Sequence, residues 1–341
     1  MRVLIVKTSS MGDVVHALPA VTEAAGKLPD VEFCWVVEED LQDIPRRHPG
    51  VKEVIPVAVR RWRNSVFTSG GEFGRFRKKL IERRFDVIID SQGLIKSALI
   101  SRLARGTRHG FDRRSVREPL AAVCYHHKHP VDTSRHAIER QMSLFAQSLG
   151  YETSLTIDYG LAGPTRSGGA ILLLHGTTWE TKEWPERCWR ALAEIVAGAG
   201  HDLIIPAGDE RELARAERIG AGLPAKVLMR PPLAELITAL SKASGVVSVD
   251  TGLGHLGAAF DLPAVAIFGA TDPRLTGIRG PHTETIVSNH LPCIPCRKRD
   301  CQFRHDQDSS SIYPPCYERT TPEAVWQALR SQIDNRPKSP G

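Results

Sequence analysis

Strand-like and helix-like segments alternate along almost the whole chain, and this alternation restricts the fold more than any other feature. The apolar runs "RVLIV", "FDVIID", "AILLL" and "GVVSV" are short and bounded by polar or glycine-containing turns, as buried strands are. Helical patterns separate such runs, for example from about Asp13 to Lys27 and from His136 to a closing Gly150. This alternation predicts an α/β protein with parallel sheets.

A single segment, "YGLAGPTRSGG" at 159–169, interrupts the alternation with glycines, a proline and small polar residues. It predicts a linker between two Rossmann-like domains, 1–160 and 161–320, followed by a last helix at 321–333 and a disordered tail at 334–341. In parallel sheets ligands bind outside the carboxyl ends of the strands. We therefore expect two facing domains with a ligand in the cleft between them.

The charge of the chain is unevenly distributed. The net charge is +6, yet residues 60–117 contain 16 Lys and Arg against 5 Asp and Glu. Such a region predicts an anionic partner: a nucleic acid, a phosphorylated lipid or an acidic sugar. The alternative is an ordinary solvated surface. No run of about 20 apolar residues and no leader-like start is present, so a cytoplasmic protein is expected.

The loop after the first strand, "KTSSMGDVV", is small and polar and leads straight into a helix. Gly12 allows close approach to the backbone, and Asp13 lies where the helix N-terminus favours an ionised carboxylate. Such a group can take a proton from a hydroxyl, which makes Asp13 the candidate catalytic base. The alternative is that Asp13 only caps the helix.

Two loops of the second domain have the residues of a phosphate site. "HGTTWETKEWP" places Thr177, Thr178 and Lys182 after a strand, where hydroxyls and an ammonium group suit phosphate oxygens. "SVDTGLGHLGAA" contains G-x-G-x-x-G between a strand and a helix. It occurs late in its domain, so we interpret it as a phosphate-binding helix N-terminus and keep a nicotinamide site as the alternative.

Two further clusters predict binding. Arg60, Arg61 and Arg63 surround a tryptophan, and arginine forks suit carboxylates and phosphates. Cysteines recur near the C-terminus with the spacing of metal ligands, which predicts a structural zinc or iron site; its residues are Cys293, Cys296, Cys301 and Cys316, with His305 as a substitute. Four free thiols in a loop are the alternative.

Taken together, "MRVLIVKTSSMGDVVHALPAVTEA", "IPVAVRRWR", "DSQGLIKSALI", "HGTTWETKEWP" and "SVDTGLGHLGAA" resemble the type I lipopolysaccharide heptosyltransferases of glycosyltransferase family 9. The resemblance extends from Met1 to about Pro273. It implies a GT-B fold with a C-terminal helix that crosses back. It also implies inverting transfer of L-glycero-D-manno-heptose from ADP-heptose to the first Kdo of Kdo2-lipid A, in an α-1,5 link. No catalytic metal is implied, and the enzyme would work at the cytoplasmic face of the inner membrane.

The resemblance also assigns roles to residues of this chain. It implies that Asp13 is the general base. Donor binding is implied for Thr177, Thr178, Lys182, Asp250, Thr251, Gly252, Leu253 and His255. Glu212, or alternatively Glu210, would hold the ribose, and the acidic acceptor would be bound by Arg60, Arg61, Arg63 and Arg117. The cysteine segment is similar to that of type II enzymes. The alternative interpretation is therefore a type II heptosyltransferase, whose acceptor is a heptose.

Two other classes fit parts of the sequence. A nicotinamide-dependent oxidoreductase would explain the G-x-G-x-x-G motif, and a nucleic-acid-binding module would explain the basic region and the cysteines. Neither explains the polar loop that contains Asp13. The transferase reading is therefore preferred, with no nucleic-acid partner.

Overall fold

A computed structural model of the chain describes residues 1–64, 70–163, 169–288, 290–303 and 312–336, without the side chains at positions 63, 64 and 70. The chain divides into two compact units, Met1–Leu161 and Ala162–Gly341. Part of the expected linker, 164–168, and part of the expected disordered tail, 337–341, lie outside the described residues. No helix among the described residues combines the length and the apolar character needed to cross a bilayer.

The first unit is built on one six-stranded parallel sheet. Its strands are β1 (Arg2–Val6), β2 (Glu32–Glu38), β3 (Val51–Val57), β4 (Arg84–Asp90), β5 (Arg105–Phe111) and β6 (His127–His129). Its helices are α1 (Met11–Lys27), α2 (Val59–Asn64), α3 (Gly70–Ile81), α4 (Ile95–Leu103) and α5 (Ala137–Leu149). β1 lies in the middle of the sheet, and its residues from Val3 to Val6 are fully buried, as expected for a strand covered on both faces.

The second unit repeats this plan. Its strands are β7 (Ile171–Leu174), β8 (Leu203–Ala207), β9 (Ala225–Met229), β10 (Gly245–Val249), β11 (Ala264–Phe268) and β12 (Thr283–Val287). Its helices are α6 (Glu186–Gly198), α7 (Glu210–Gly220), α8 (Leu233–Leu240), α9 (Gly252–Ala259), α10 (Pro273–Thr276) and α11 (Pro322–Asp334). All neighbouring strands are parallel. The α/β class with two parallel-sheet units is therefore confirmed.

The order of the strands places one crevice in each unit. The sheets run β3-β2-β1-β4-β5-β6 and β12-β11-β10-β7-β8-β9. The chain therefore reverses its direction of winding between β1 and β4, and again between β7 and β10. At such a point the loops that leave two adjacent strands diverge and leave room for a ligand. Both candidate loops of the sequence, 7–13 and 175–182, begin at these points.

The core of the second unit includes the last helix. Trp184, Trp189, Tyr317 and Leu329 are fully buried in one cluster. α11 packs against α6 and against β10, β11 and β12. It starts as the sequence predicts, with the Thr321 hydroxyl accepting a hydrogen bond from the backbone of Ala324 and a proline in the first turn.

Some local predictions differ from the structure. α1 starts at Met11 rather than near Asp13, because Ser10 and Asp13 together cap it. The "RRWR" segment lies in helix α2, whose Val59 and Trp62 pack one turn apart on the core. Pro185 has an extended backbone and directly precedes α6. Gly150 ends α5 as expected, with a left-handed φ of 77°.

Candidate active site

In the first unit, a buried lysine faces the candidate base. Lys7 follows β1, is only 4% exposed, and places Nζ 3.7 Å from Oδ1 of Asp13. Nζ also donates to the Ser91 carbonyl oxygen, 3.1 Å away, at the end of β4. The other carboxylate oxygen, Oδ2, accepts from the amide and hydroxyl of Ser10 at 3.0 and 2.8 Å. Asp13 thus caps the helix with one oxygen and faces Lys7 with the other.

Asp13 is ionised at neutral pH. Burial alone would raise its pKa, but the nearby charges of Lys7 and His16 and the hydrogen bonds from Ser10 lower the pKa to about 2. About a third of the side chain, 34%, is exposed, so a substrate can reach the carboxylate. Burial lowers the pKa of Lys7, while Asp13 and Asp90 oppose that shift.

The loop after β4 fixes the loop that contains the candidate base. Gln92 Oε1 accepts hydrogen bonds from the backbone amides of Thr8 and Ser9, both at 3.1 Å. The Gln92 amide in turn donates to Asp90 Oδ1, 3.0 Å away, and Asp90 Oδ2 accepts from the Tyr125 hydroxyl at 2.7 Å. This network is buried, and it orders the backbone before a substrate arrives.

In the second unit, Asp250 is the centre of a polar cluster. It follows β10, and its Oδ2 lies 2.6 Å from Lys182 Nζ and accepts from the Thr271 hydroxyl at 2.7 Å. His255 Nε2 lies 3.9 Å from Oδ1. Burial would raise the pKa of Asp250, but His255, Lys182 and Thr271 hold it well below the usual range. The loops after β7, β10 and β11 therefore meet at this carboxylate.

The other predicted donor residues on the loops of this cluster are half-buried or exposed. Thr177 is half-buried, Thr178 is exposed, and neither hydroxyl bonds to any part of the chain that the structure describes. Lys182 Nζ also lies 4.5 Å from the ring centre of Trp179. Thr251, Gly252 and Leu253 form the half-buried start of α9. These residues offer hydroxyls, an ammonium group and free backbone amides, which suit a diphosphate.

Glu212 and Glu210 have different environments. Oε2 of Glu212 accepts from the backbone amide of Gly208 at 2.7 Å, and the carboxylate adjoins Gly176, where an added Cβ would lie 2.6 Å from Oε1. Glu212 therefore lies between the loops after β7 and β8. Glu210 is exposed and pairs with Arg230 at 3.7 Å.

The glycines of the G-x-G-x-x-G motif serve packing. A Cβ on Gly254 would lie 2.3 Å from the Ser248 hydroxyl, and one on Gly257 would lie 3.3 Å from Val246. Both contacts are with β10, so these glycines bring α9 close to its own strand. The motif is explained without a dinucleotide.

The predicted acceptor arginines do not share one environment. Arg61 is held by two carboxylates, Glu39 at 3.0 Å and Glu72 at 2.8 Å. Arg60 is exposed, and its charge acts on Glu38. Arg117 is exposed and close enough to Lys7 to lower the pKa of that lysine. The side chain of Arg63 lies outside the described residues.

The prediction of a metal site at the cysteines is not supported. All four are free thiols that border one small cavity. Within the described ranges, however, no three His, Cys, Asp or Glu side chains are placed to hold a metal ion. Burial, and then the neighbouring thiols, raise the pKa of Cys316 to about 12, so this thiol is neutral. Ligand spacing along the chain is therefore not enough to give the geometry of a metal site. His305 lies outside the described residues.

Sequence reasoning missed three polar residues of these sites. They are Lys7, Gln92 and Thr271, each of which follows a strand. The signal for Lys7 was a lysine directly after an apolar strand. The structure buries it, and lysine is almost never fully buried without a partner. The partners of Gln92 and Thr271 become visible only once strand neighbours are known.

Comparisons with known proteins give a consistent result. The sequence model of glycosyltransferase family 9 (heptosyltransferase) matches residues 73–306. Lipopolysaccharide heptosyltransferase 1 of Pseudomonas aeruginosa is 43% identical over 349 residues, with 98% of each chain covered. The structure is similar to E. coli heptosyltransferase WaaC with ADP, at 40% identity and a TM-score of 0.85, covering 97% of this chain and 100% of that one. WaaC with ADP-2-deoxy-2-fluoro heptose gives a TM-score of 0.81 at 40% identity, covering 97% and 99%.

Proposed function

The chain belongs to glycosyltransferase family 9, and on that premise we propose that it moves L-glycero-D-manno-heptose from ADP-heptose to the inner Kdo of Kdo2-lipid A. It is a heptosyltransferase of lipopolysaccharide core synthesis, as its relatives are. Membership of a transferase family removes the oxidoreductase alternative. The high identity to a heptosyltransferase 1 favours Kdo as acceptor over the heptose acceptor of the type II reading.

One observation carries the chemical proposal: Asp13 is ionised and partly exposed at the reversal point of the first sheet. As the acceptor oxygen attacks the anomeric carbon of heptose, its hydroxyl proton becomes acidic and passes to Asp13. The C–O bond to the diphosphate breaks on the opposite side, which inverts the anomeric centre. ADP leaves with the electron pair of that bond.

The second unit would bind the donor. Lys182 and the hydroxyls of Thr177 and Thr178 are suited to the diphosphate, whose negative charge grows as the bond to heptose breaks. The start of α9, from Thr251 to Leu253, adds backbone amides.

His255 and Asp250 orient Lys182 and contact the heptose, and Glu212 accepts hydrogen bonds from the ribose. No metal is required for these steps.

The acidic acceptor would be bound by arginines of the first unit. Arg60 and Arg117 are exposed, and Arg117 lies near Lys7. Arg63 would bind the acceptor in the same way. Arg61 pairs with Glu39 and Glu72 and so holds α2 in place, until an acidic acceptor competes with these carboxylates for its guanidinium group. We expect Arg60→Ala and Arg117→Ala to raise the acceptor KM, while Arg47→Ala, on an exposed turn elsewhere, leaves it unchanged.

Because lipid A is anchored in a membrane, the enzyme would act peripherally at the cytoplasmic face of the inner membrane.

The decisive experiment measures ADP release from ADP-heptose with and without Kdo2-lipid A. We compare wild type with Asp13→Asn, which keeps an oxygen for capping α1 but loses the base, and with Asp30→Asn as an exposed control. The proposal expects acceptor-dependent release that Asp13→Asn loses while it still binds ADP. Release only with heptosylated lipid A would instead establish the type II reaction.

A further inference from the structure

Four exposed apolar side chains lie together on the first unit. The described residues include eight large apolar side chains that are exposed, and half of them belong to two adjoining helices. Ile95 and Leu99 are on α4, at 41% and 54% exposure. Leu120 and Val123 are on the 3₁₀ helix Pro119–Cys124, at 69% and 76%. The two helices pack against each other, and we call these four residues the α4 patch.

The α4 patch is the outward face of two helices whose inward faces are buried. On α4, Ala98 and Ile100 are buried, whereas Ile95 and Leu99 are one turn apart on the other side. On the 3₁₀ helix, Ala121 and Ala122 are buried between the exposed Leu120 and Val123. Both helices already have a core face, so the exposed face is an additional apolar surface. Contiguous exposed apolar residues mark sites of interaction with a partner or a membrane.

The segment of chain that contains the α4 patch is strongly basic. Residues 95–128 contain eight Lys and Arg but two acids, Asp112 and Glu118. Both acids accept hydrogen bonds within this segment. Asp112 accepts from Ser115, and Glu118 Oε2 accepts from the backbone amide of Ile95 at 2.6 Å. The basic residues are Lys96, Arg102, Arg105, Arg108, Arg113, Arg114, Arg117 and Lys128. The apolar patch therefore belongs to a net positive segment, in which Arg102 on α4 and Arg117 just before the 3₁₀ helix are exposed.

The α4 patch is attached directly to the loop network around the candidate base. α4 begins just after Gln92, which binds the amides of Thr8 and Ser9. The amide of Glu118, just before the 3₁₀ helix, donates to the Gly93 carbonyl oxygen, 3.1 Å away. A partner on the patch would thus lie close to the loop that contains Asp13.

We propose that the α4 patch inserts into an anionic phospholipid bilayer and so brings the acceptor-binding loops to a membrane-anchored acceptor. This rests on the proposed function, and it names the surface that the peripheral association uses. Apolar side chains enter the boundary between headgroups and acyl chains, while Lys and Arg pair with anionic headgroups. A second copy of the chain is the poorer partner, since a symmetric contact would bring two net positive segments together.

The test is binding to vesicles. Wild type should sediment with vesicles of phosphatidylglycerol and phosphatidylcholine mixed 3:7, and much less with phosphatidylcholine alone. Leu120→Ser with Val123→Ser removes the two most exposed members of the patch, and we expect at least about tenfold weaker partitioning. Val287→Ser, at an exposed position on the edge strand β12 of the second unit, is the control and should partition like wild type. Binding should weaken as salt rises.

Three results would overturn the proposal: no binding of wild type to anionic vesicles, equal binding by the double variant, or a concentration-dependent dimer that the double variant abolishes. Thermal unfolding checks that the double variant is folded.

Turnover assays distinguish failure of this proposal from failure of the proposed function. The double variant should lose turnover only with Kdo2-lipid A in vesicles and keep it with an acyl-free acceptor analogue. No turnover of the analogue by wild type would count against the proposed function, whatever the vesicles show.

Discussion

Lys7 Nζ lies 3.7 Å from Asp13 Oδ1, and this pair joins the end of β1 to the start of α1. The lysine is buried and its pKa is lowered, while the aspartate is partly exposed and ionised. A positive charge at this distance keeps the Asp13 carboxylate deprotonated, while its other oxygen accepts hydrogen bonds from Ser10. With Asp13 as the proposed base, this pair would set the pH range in which the enzyme works.

The first prediction concerns the acid limb of the pH profile. Lys7→Met removes the strongest influence that lowers the pKa of Asp13, so that pKa rises from about 2. kcat/KM for the acceptor should then fall on the acid side within the measurable range of pH 4–8, whereas wild type stays flat there. Lys52→Met, on the exposed side of β3, should behave as wild type. An unchanged acid limb in Lys7→Met would contradict the assignment of Asp13.

The second prediction links Asp13 to stability. A carboxyl group whose pKa is lower in the folded state stabilises the protein above its unfolded pKa, and this contribution disappears as pH falls. Asp13→Asn lacks the contribution at every pH. The difference in free energy of unfolding between wild type and Asp13→Asn should therefore be largest near pH 6 and shrink between about pH 4 and 2. Urea unfolding at a series of pH values measures it, and a constant difference would contradict the shift.

The third prediction concerns donor binding. Lys182→Ala removes a cation from the predicted diphosphate site and leaves Asp250, in the same cluster, without its ion pair. Since a charge-assisted hydrogen bond contributes about 1.5–3 kcal/mol, we expect the Kd for ADP to rise about 10- to 100-fold. Calorimetric titration with ADP measures this change. Lys226→Ala, exposed on β9, should bind ADP as wild type does.

The fourth prediction distinguishes two neighbouring acids of α7. Glu212→Gln should weaken ADP binding about tenfold, because Glu212 lies between the loops after β7 and β8 and would lose charged hydrogen bonds to the ribose. Glu210→Gln should leave ADP binding unchanged, since its carboxylate pairs outward with Arg230. The reverse result would transfer the ribose role to Glu210.

The fifth prediction tests the packing role of Gly254. Gly254→Ala would place a methyl group 2.3 Å from the Ser248 hydroxyl, and overpacking of this kind destabilises by about 1–3 kcal/mol. Ser248→Gly should restore most of the lost stability when it is combined with Gly254→Ala. Denaturant unfolding of the single and double variants provides the measurement. If the double variant is no more stable than Gly254→Ala alone, the contact with β10 is not the cause.

Several features of this protein were determined by the sequence alone. Short apolar runs between helical patterns can be buried only in parallel sheets covered by helices, so both units followed from local pattern. Asp13, Thr177 and Lys182 became candidates because each belongs to a loop that follows a strand, where ligands of parallel sheets bind, whereas Asp250 became one through the family resemblance. β5 and β6 escaped detection because they are rich in Arg and His and carry no apolar alternation.

Tertiary structure alone decided which loops meet. β1 lies beside β4, and β7 beside β10, so Lys7 reaches Ser91 and Lys182 reaches Asp250 across long stretches of chain. No local pattern encodes strand order, because pairing between distant strands depends on how the whole sheet buries its faces. The cysteines show the converse: their spacing suits a metal, yet no three His, Cys, Asp or Glu side chains among the described residues are placed to hold a metal ion.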